Sequence, residues 1–157
     1  PGVLYIRSAG AFETYYKAHD KYLADTRGDL HTVGDIAYFD EEGYFYICDR
    51  RNDMIITGGM NVYPAEIEAA LDRHPAVADV AVFGIPSEEW GETVHAVIVR
   101  RDGQELSAAA LTAFAREHLA GYKIPRSVDF VPEIPRTGTG KILKRVLREP
   151  YWRDHVR

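Results

Sequence analysis

Short apolar runs broken by polar turns fill the first third of the chain. Val3-Leu4-Tyr5-Ile6-Arg7 is rich in β-branched and aromatic residues and predicts a strand. Ala11 to Ala24 is tyrosine-rich and predicts a mixture of helix and loop. Ile36 to Phe39 and Tyr44 to Cys48 flank Asp40-Glu41-Glu42-Gly43, and this strand–turn–strand order predicts a hairpin. The polar run Asp49-Arg50-Arg51-Asn52-Asp53 predicts a linker. Met54 to Thr57, the pair Gly58-Gly59, and Asn61-Val62-Tyr63 then predict a second, smaller hairpin.

At Pro64 the pattern changes to that of a helix. Proline suits the first helical turn, where its missing N–H would have no partner anyway. Glu66 and Glu68 sit near the positive end of the helix dipole. Ile67, Ala70 and Leu71 form an apolar stripe, and His74-Pro75 is expected to stop the helix. Val77 to Phe83 and Thr93 to Val99 predict two strands. Ser107 is placed to cap a helix in which Leu111, Phe114, Ala115, His118 and Leu119 share a face, with Gly121 as its end. Val128 to Val131 predicts a third strand. In the last basic segment Lys144, Arg145 and Arg148 fall on one face, and Ile142, Leu143, Val146 and Leu147 on the other. From Asn52 onward the order is hairpin, helix, strand, strand, helix, strand, helix. That order predicts an α+β domain.

Composition narrows the classes. Of the 157 residues 46% are hydrophobic, enough for a core, and the net charge is −5. A mildly acidic chain is poorly suited to broad electrostatic binding of nucleic acid or an anionic membrane. The single cysteine, Cys48, cannot form an internal disulfide and fits a reducing, cytoplasmic setting. No apolar run reaches the roughly 18–20 residues that span a bilayer. Peripheral membrane association stays open. Pro1-Gly2 and the run after it resemble the middle of a longer protein, so a fragment is expected. The six histidines show no ligand spacing, and no metal site is expected within the chain.

The stretch with the most chemical interest is PRTGTGKILKR, Pro135 to Arg145. It does not fit the phosphate-binding pattern GxxxxGK[ST], because Pro135 replaces the first glycine and Ile142 the metal-binding hydroxyl. Locally it is a flexible Gly/Thr loop that presents Lys141 ahead of a helix with one solvated basic face.

Three stretches carry more. They are TVGDIAYFDEEGYFYICDRRNDMIITGGMNVYPAEIE (Thr32 to Glu68), VAVFGIPSEEWGE (Val80 to Glu92) and IPRTGTGK (Ile134 to Lys141). Their order and spacing resemble the adenylate-forming enzymes: acyl-CoA synthetases, luciferase and the adenylation domains of peptide synthetases. The wording around Asp49 to Glu68 is most similar to fatty-acyl- and aryl-CoA ligases. The resemblance implies that residues 1–51 are the β-rich end of a large N-terminal adenylation domain. It implies that residues 52–157 are the small mobile lid domain, a hairpin plus a three-stranded sheet with helices. The implied partners are a carboxylic acid, ATP and coenzyme A, with Mg²⁺ held by residues outside this chain. The chain would pack on its own N-terminal domain. Loading of a carrier protein is the alternative within the family. A free-standing, non-catalytic module that binds a nucleotide or a partner is the alternative outside it.

Site residues carry over one at a time. Lys141 matches the lysine that acts on the α-phosphate and carboxylate oxygens during adenylation. Asp35 matches the aspartate that holds the ribose hydroxyls, and a carboxylate with two acceptor oxygens suits a vicinal diol. Here Val33 separates Thr32 from Gly34, which departs from the usual Thr-Gly-Asp. Arg50 matches a second ribose contact. Asn52 falls at the hinge, where relatives carry Asp or Lys. Gly58, Gly59 and Asn61 match the loop that lines the pantetheine tunnel. Ile56 stands where some relatives carry a second catalytic lysine, so that role does not carry over. Trp90 has two readings, stacking on an adenine or packing, and its amphipathic loop favours packing.

Overall fold

The computed structural model of the chain describes residues 1–10 and 13–155. Ala11 and Phe12, at the start of the expected mixed stretch, lie outside the described residues. The chain divides into two compact units, Pro1–Asn52 and Asp53–Arg157.

The first unit contains β1 (Gly2–Val3), α1 (His19–Ala24), β2 (Thr26–Arg27), β3 (Leu30–His31), β4 (Asp35–Phe39) and β5 (Phe45–Arg50). Strands β1, β4 and β5 form one antiparallel sheet in that order, and β2 pairs with β3. The strand expected over Val3–Arg7 is shorter because its backbone changes partner. Leu4 N–H donates to Asp35 O at 2.8 Å, whereas Ile6 bridges to His31. The expected hairpin forms. Its turn is built by Asp40, whose Oδ1 accepts from the Glu42 and Tyr44 amides at 3.0 and 2.9 Å. The Tyr46 hydroxyl donates to Asp40 Oδ2 at 2.8 Å and, with these amides, holds the carboxyl below its ordinary pKa. The second strand runs on through Asp49 and Arg50, which the sequence pattern assigns to a linker. Pairing in register with Ile36 and Asp35 draws them into the sheet.

The second unit contains β6 (Ile55–Thr57), β7 (Met60–Val62), α2 (Pro64–Leu71), β8 (Val77–Ser87), β9 (Gly91–Arg100), α3 (Ala108–His118), a 3₁₀ turn (Gly121–Lys123), β10 (Ser127–Phe130) and α4 (Lys144–Trp152). The element order is the expected one. β8 and β9 form a long antiparallel hairpin, and β10 lies parallel to β9. A parallel neighbour needs a crossover, and α3 supplies it. The small hairpin β6–β7 joins the sheet where Thr57 pairs with Gly91, so the three expected strands become part of a five-stranded sheet.

Alternation along β8 and β9 fills two cores. Val80, Val82, Ala96 and Ile98 face one way and pack with Ile67, Leu71, Leu111 and Ala115 of α2 and α3. Ala81, Phe83 and Val97 face the other way and meet Ile134, with Ile142, Leu147 and Tyr151 packed against them. A sheet covered on both faces explains the nearly unbroken apolar runs.

Helix boundaries differ from expectation at two ends, and the faces of α4 differ as well. α2 stops at Leu71, before His74. α3 has the expected cap, Ser107 Oγ accepting from the Ala110 amide at 3.1 Å. It ends because Leu119 returns to extended backbone, and Gly121 begins the 3₁₀ turn instead. In α4 the basic face is not simply solvated. Lys144 Nζ lies 2.7 Å from Glu68, and Arg148 lies 3.8 Å from Asp53. Val146, expected on the buried side, is 43% exposed, and Leu147 and Tyr151 make the apolar contact.

Candidate functional site

In the first unit the hairpin β4–β5 brings Asp35 and Arg50 side by side. They are register partners, and Arg50 Nε lies 2.9 Å from Asp35 Oδ1. The Arg50 guanidinium also donates to Val33 O at 3.4 Å. Thr32 is buried, and its Oγ1 accepts from the Gly34 amide at 3.0 Å, which tightens the turn leading into Asp35. The Arg51 amide closes the same corner by donating to Gly34 O at 2.7 Å. The pair therefore sits at the end of the β4–β5 ladder. It offers a carboxylate acceptor beside a guanidinium donor. Asn52 follows directly, exposed in the turn at which the first unit ends.

In the second unit Gly58 and Gly59 form the two-residue turn between β6 and β7. Both have positive φ, 55° and 78°, as a primed hairpin turn requires. Gly58 has a second constraint. A Cβ there would lie 2.7 Å from the Trp90 ring, and the Gly58 amide donates to Trp90 O at 2.9 Å. Trp90 thus packs on the glycine turn, with the Arg126 guanidinium 5.0 Å from its ring centroid. Asn61 is exposed on β7, opposite Ile56.

Lys141 is exposed on the loop between β10 and α4. The sequence suggests a mobile glycine loop, but the structure shows a braced one. Arg136 and Ile142 form an antiparallel bridge across its base. The Thr137 amide donates to Lys141 O at 2.8 Å, the Gly140 amide to Thr137 O at 2.9 Å, and the Lys141 amide to Thr137 Oγ1 at 3.1 Å. Gly140 takes φ 84°, which lets the turn close. Sequence reasoning missed the residue that anchors this turn. Arg136 donates to Gly140 O at 2.7 Å and forks onto both oxygens of Asp79 at 2.8 and 2.7 Å. Its only sequence signal is an arginine ahead of the Thr/Gly pair.

The helix after Lys141 is held by a polar relay that was also not foreseen. His95 of β9 is 1% exposed. Its Nδ1 lies 2.7 Å from Ser127 Oγ, and its Nε2 lies 3.1 Å from the Tyr151 hydroxyl. Tyr151 donates its proton to Asp129 at 2.5 Å, so Nε2–H donates to the tyrosine oxygen and Ser127 donates to Nδ1. Burial holds His95 below its ordinary pKa, against a weaker pull from Asp129. Burial and the Asp129 bond push Tyr151 up to about 12.

The structure thus groups Asp35 with Arg50 in one unit. In the other it groups Gly58, Gly59 and Asn61 on one small hairpin, with Lys141 on a separate braced loop. Among the described residues no cluster of three or more His, Cys, Asp or Glu side chains is placed to hold a metal ion. No helix among them is long and apolar enough to cross a membrane.

Comparison with known proteins places this arrangement. Residues 66–141 match the family model described as AMP-binding enzyme C-terminal domain. The chain is 40% identical over 154 residues to a long-chain-fatty-acid–CoA ligase of Bacillus subtilis, covering 98% of this chain and 28% of that protein. It is 48% identical over 145 residues to the fatty acid–[acyl-carrier-protein] ligase ScoC of Streptomyces coeruleorubidus, covering 91% of this chain and 28% of that one. The crystal structure of ATP-bound MatB from Rhodopseudomonas palustris superposes with a TM-score of 0.88 at 38% identity, over 98% of this chain and 30% of that chain. The chain therefore spans less than a third of the length of these relatives. It belongs to the adenylate-forming enzymes and corresponds to their C-terminal portion.

Proposed function

We propose that this chain is the C-terminal part of an AMP-forming acyl-CoA synthetase and that its second unit supplies Lys141 to a nucleotide site completed by an N-terminal domain. The observation that carries this reading is the presentation of an exposed Lys141 on a braced loop, in a chain similar over nearly all its length to acyl-activating ligases. In the first half-reaction a carboxylate oxygen bonds to the α-phosphorus of ATP. The bond from that phosphorus to the β-phosphate bridge breaks, and pyrophosphate leaves. Lys141 sits beside the oxygens on which negative charge grows, which favours the transition state over the ground state. Asp35 accepts hydrogen bonds from the ribose hydroxyls, and Arg50 holds Asp35 in place while donating to the same sugar.

In the second half-reaction a thiol gives up its proton to solvent and its sulfur bonds to the acyl carbon, the bond from that carbon to the phosphate-bound oxygen breaks, and AMP leaves with the electron pair. Gly58, Gly59 and Asn61 line the path of the pantetheine arm, where the lack of side chains on the turn permits close approach. Asn52 is the backbone pivot between the two half-reactions, a role suited to a residue that tolerates unusual backbone angles. Mg²⁺ accompanies ATP in this reading. Among the described residues no acidic groups assemble into a site for it, and this reading assigns its ligands to the N-terminal domain. The similarity to ScoC favours a second reading in which the acceptor thiol is carried by a carrier protein.

The test is to separate the half-reactions in the full-length enzyme. Lys141→Ala should lower acyl-adenylate formation roughly a hundred- to a thousand-fold and leave thiol transfer to supplied acyl adenylate nearly unchanged. Equal loss of both would refute the assignment. Offering coenzyme A and a loaded carrier protein in the second assay decides between the two acceptors.

A further inference from the structure

We infer that Asp79 and Arg136 are positioning residues for Lys141, acting as a single anchor that fixes the lysine's backbone relative to the sheet. This rests on the adenylation role of Lys141 proposed above. Asp79 lies at the start of β8, where the pairing with β9 shifts register between Val77 and Asp79. A bulge re-aims the side chains beside it. The Asp79 carboxylate is set further by accepting from the Val80 amide at 3.0 Å. Both its oxygens then meet one guanidinium nitrogen of Arg136, at 2.8 and 2.7 Å. The other terminal nitrogen of Arg136 donates to Gly140 O at 2.7 Å, the carbonyl of the peptide bond that leads into Lys141. One planar fork therefore ties a sheet residue to the residue before the lysine, and arginine alone has this fixed geometry.

The rest of the loop makes the tie effective. Both backbone groups of Lys141 are already used within the turn, and Ile134 and Ile142 flank the loop in the apolar cluster under α4. Only the lysine side chain remains to be ordered. A lysine carried rigidly by the second unit needs little reorganisation when it reaches the reacting oxygens. The ion pair is partly exposed, 42% for Arg136 and 28% for Asp79, so it adds little to global stability. Its effect belongs to geometry, where a displacement of about 1 Å can cost on the order of a hundredfold in rate.

The experiment uses Asp79→Ala, Arg136→Lys and the double variant in the full-length enzyme, with Lys141→Ala beside them. Arg136→Lys keeps the charge but loses the fork, and it guards against a folding defect in Asp79→Ala. The expected result is a ten- to hundred-fold loss of kcat for acyl-adenylate formation (about that of a 1 Å misplacement), with KM for ATP within about twofold. Thiol transfer from supplied acyl adenylate and the melting temperature should be unchanged, and the double variant should be no worse than the worse single one. Amide hydrogen exchange at Gly140 and Lys141 should rise about tenfold or more, with Val97 and Ile98 in β9 unaffected. Full adenylation by both single variants while Lys141→Ala is inactive would overturn the anchor and leave the lysine's role intact. Full adenylation by Lys141→Ala would overturn both. Unchanged exchange at Gly140 and Lys141 would overturn the anchor whatever the rates.

Discussion

The two units of this chain handle their apolar side chains in opposite ways. The second unit encloses its sheet on both faces. Ile55, Ile67, Leu71, Phe83, Ile98 and Leu111 are all at or near zero exposure. Among its described residues the first unit buries little besides Ile36, Ala37, His31 and Thr32. Its hairpin displays Phe39 and Phe45 at 71% and 63% exposure, and Tyr38 and Tyr46 at 45% and 43%. Tyr38 stacks on Tyr46 and Phe39 meets Phe45 at a tilt, across the strands at successive positions, so both faces of the ladder are aromatic. Strands apolar on both faces belong inside a larger sheet structure. The second unit has the core of an independent domain, and the first has the pattern of strands that need neighbours.

Excision gives the largest expected difference between them. Residues 53–157 expressed alone should melt cooperatively by circular dichroism, and residues 1–52 alone should show no cooperative transition. A cooperative melt of 1–52 would remove the contrast. Within the intact chain, Leu71→Ala should cost about 2–5 kcal/mol in chemical denaturation. Leu23→Ala, at a residue 56% exposed in α1, should fall within about 0.5 kcal/mol of the parent. The same contrast holds for charge. Glu68 accepts from the Val82 amide at 2.7 Å and pairs with Lys144 at 2.7 Å, both partly buried. Glu68→Ala should cost about 1–3 kcal/mol. Arg7 and Asp29 pair at 2.6 Å with side chains 72% and 64% exposed, and Asp29→Ala should cost no more than about 1 kcal/mol.

The smallest effect is on pH. His95 has a native pKa below its ordinary 6.5 because it is buried. As pH falls below 6.5, the unfolded state takes up this proton first. Stability contributed by the neutral imidazole is therefore present above pH 6.5 and is lost as pH falls toward the native pKa. The melting temperature should drop through that window, and the drop should shrink in His95→Gln. An identical pH profile in the variant would show that Ser127, Tyr151 and Asp129 do not hold a neutral histidine.

Periodicity made most of the second unit legible. The stripe Ile67, Ala70, Leu71, the serine at 107 and the long apolar runs 77–83 and 93–99 each correspond to the element that formed. What local pattern misjudged were residues whose partners lie far along the chain. Asp49 and Arg50 look like linker until Ile36 and Asp35 pair with them. Lys144 looks solvated until Glu68 is folded beneath it. The loop around Lys141 looks mobile because glycine and threonine allow motion. Its restraint comes from Asp79, 57 positions before Arg136. Asp35, Arg50 and Lys141 enter the candidate site by motif resemblance, whereas Arg136, Asp79 and the His95 relay needed the fold.

Lys141 is proposed to enter a nucleotide site completed by an N-terminal domain. Quantitative acetylation of lysine amines, with and without a non-hydrolysable acyl-adenylate analogue, tests it most directly. The analogue is expected to slow labelling of Lys141 about tenfold or more, the protection expected for an amine held against an anion, while Lys17 labels at an unchanged rate. Equal labelling of Lys141 with and without the analogue would contradict it.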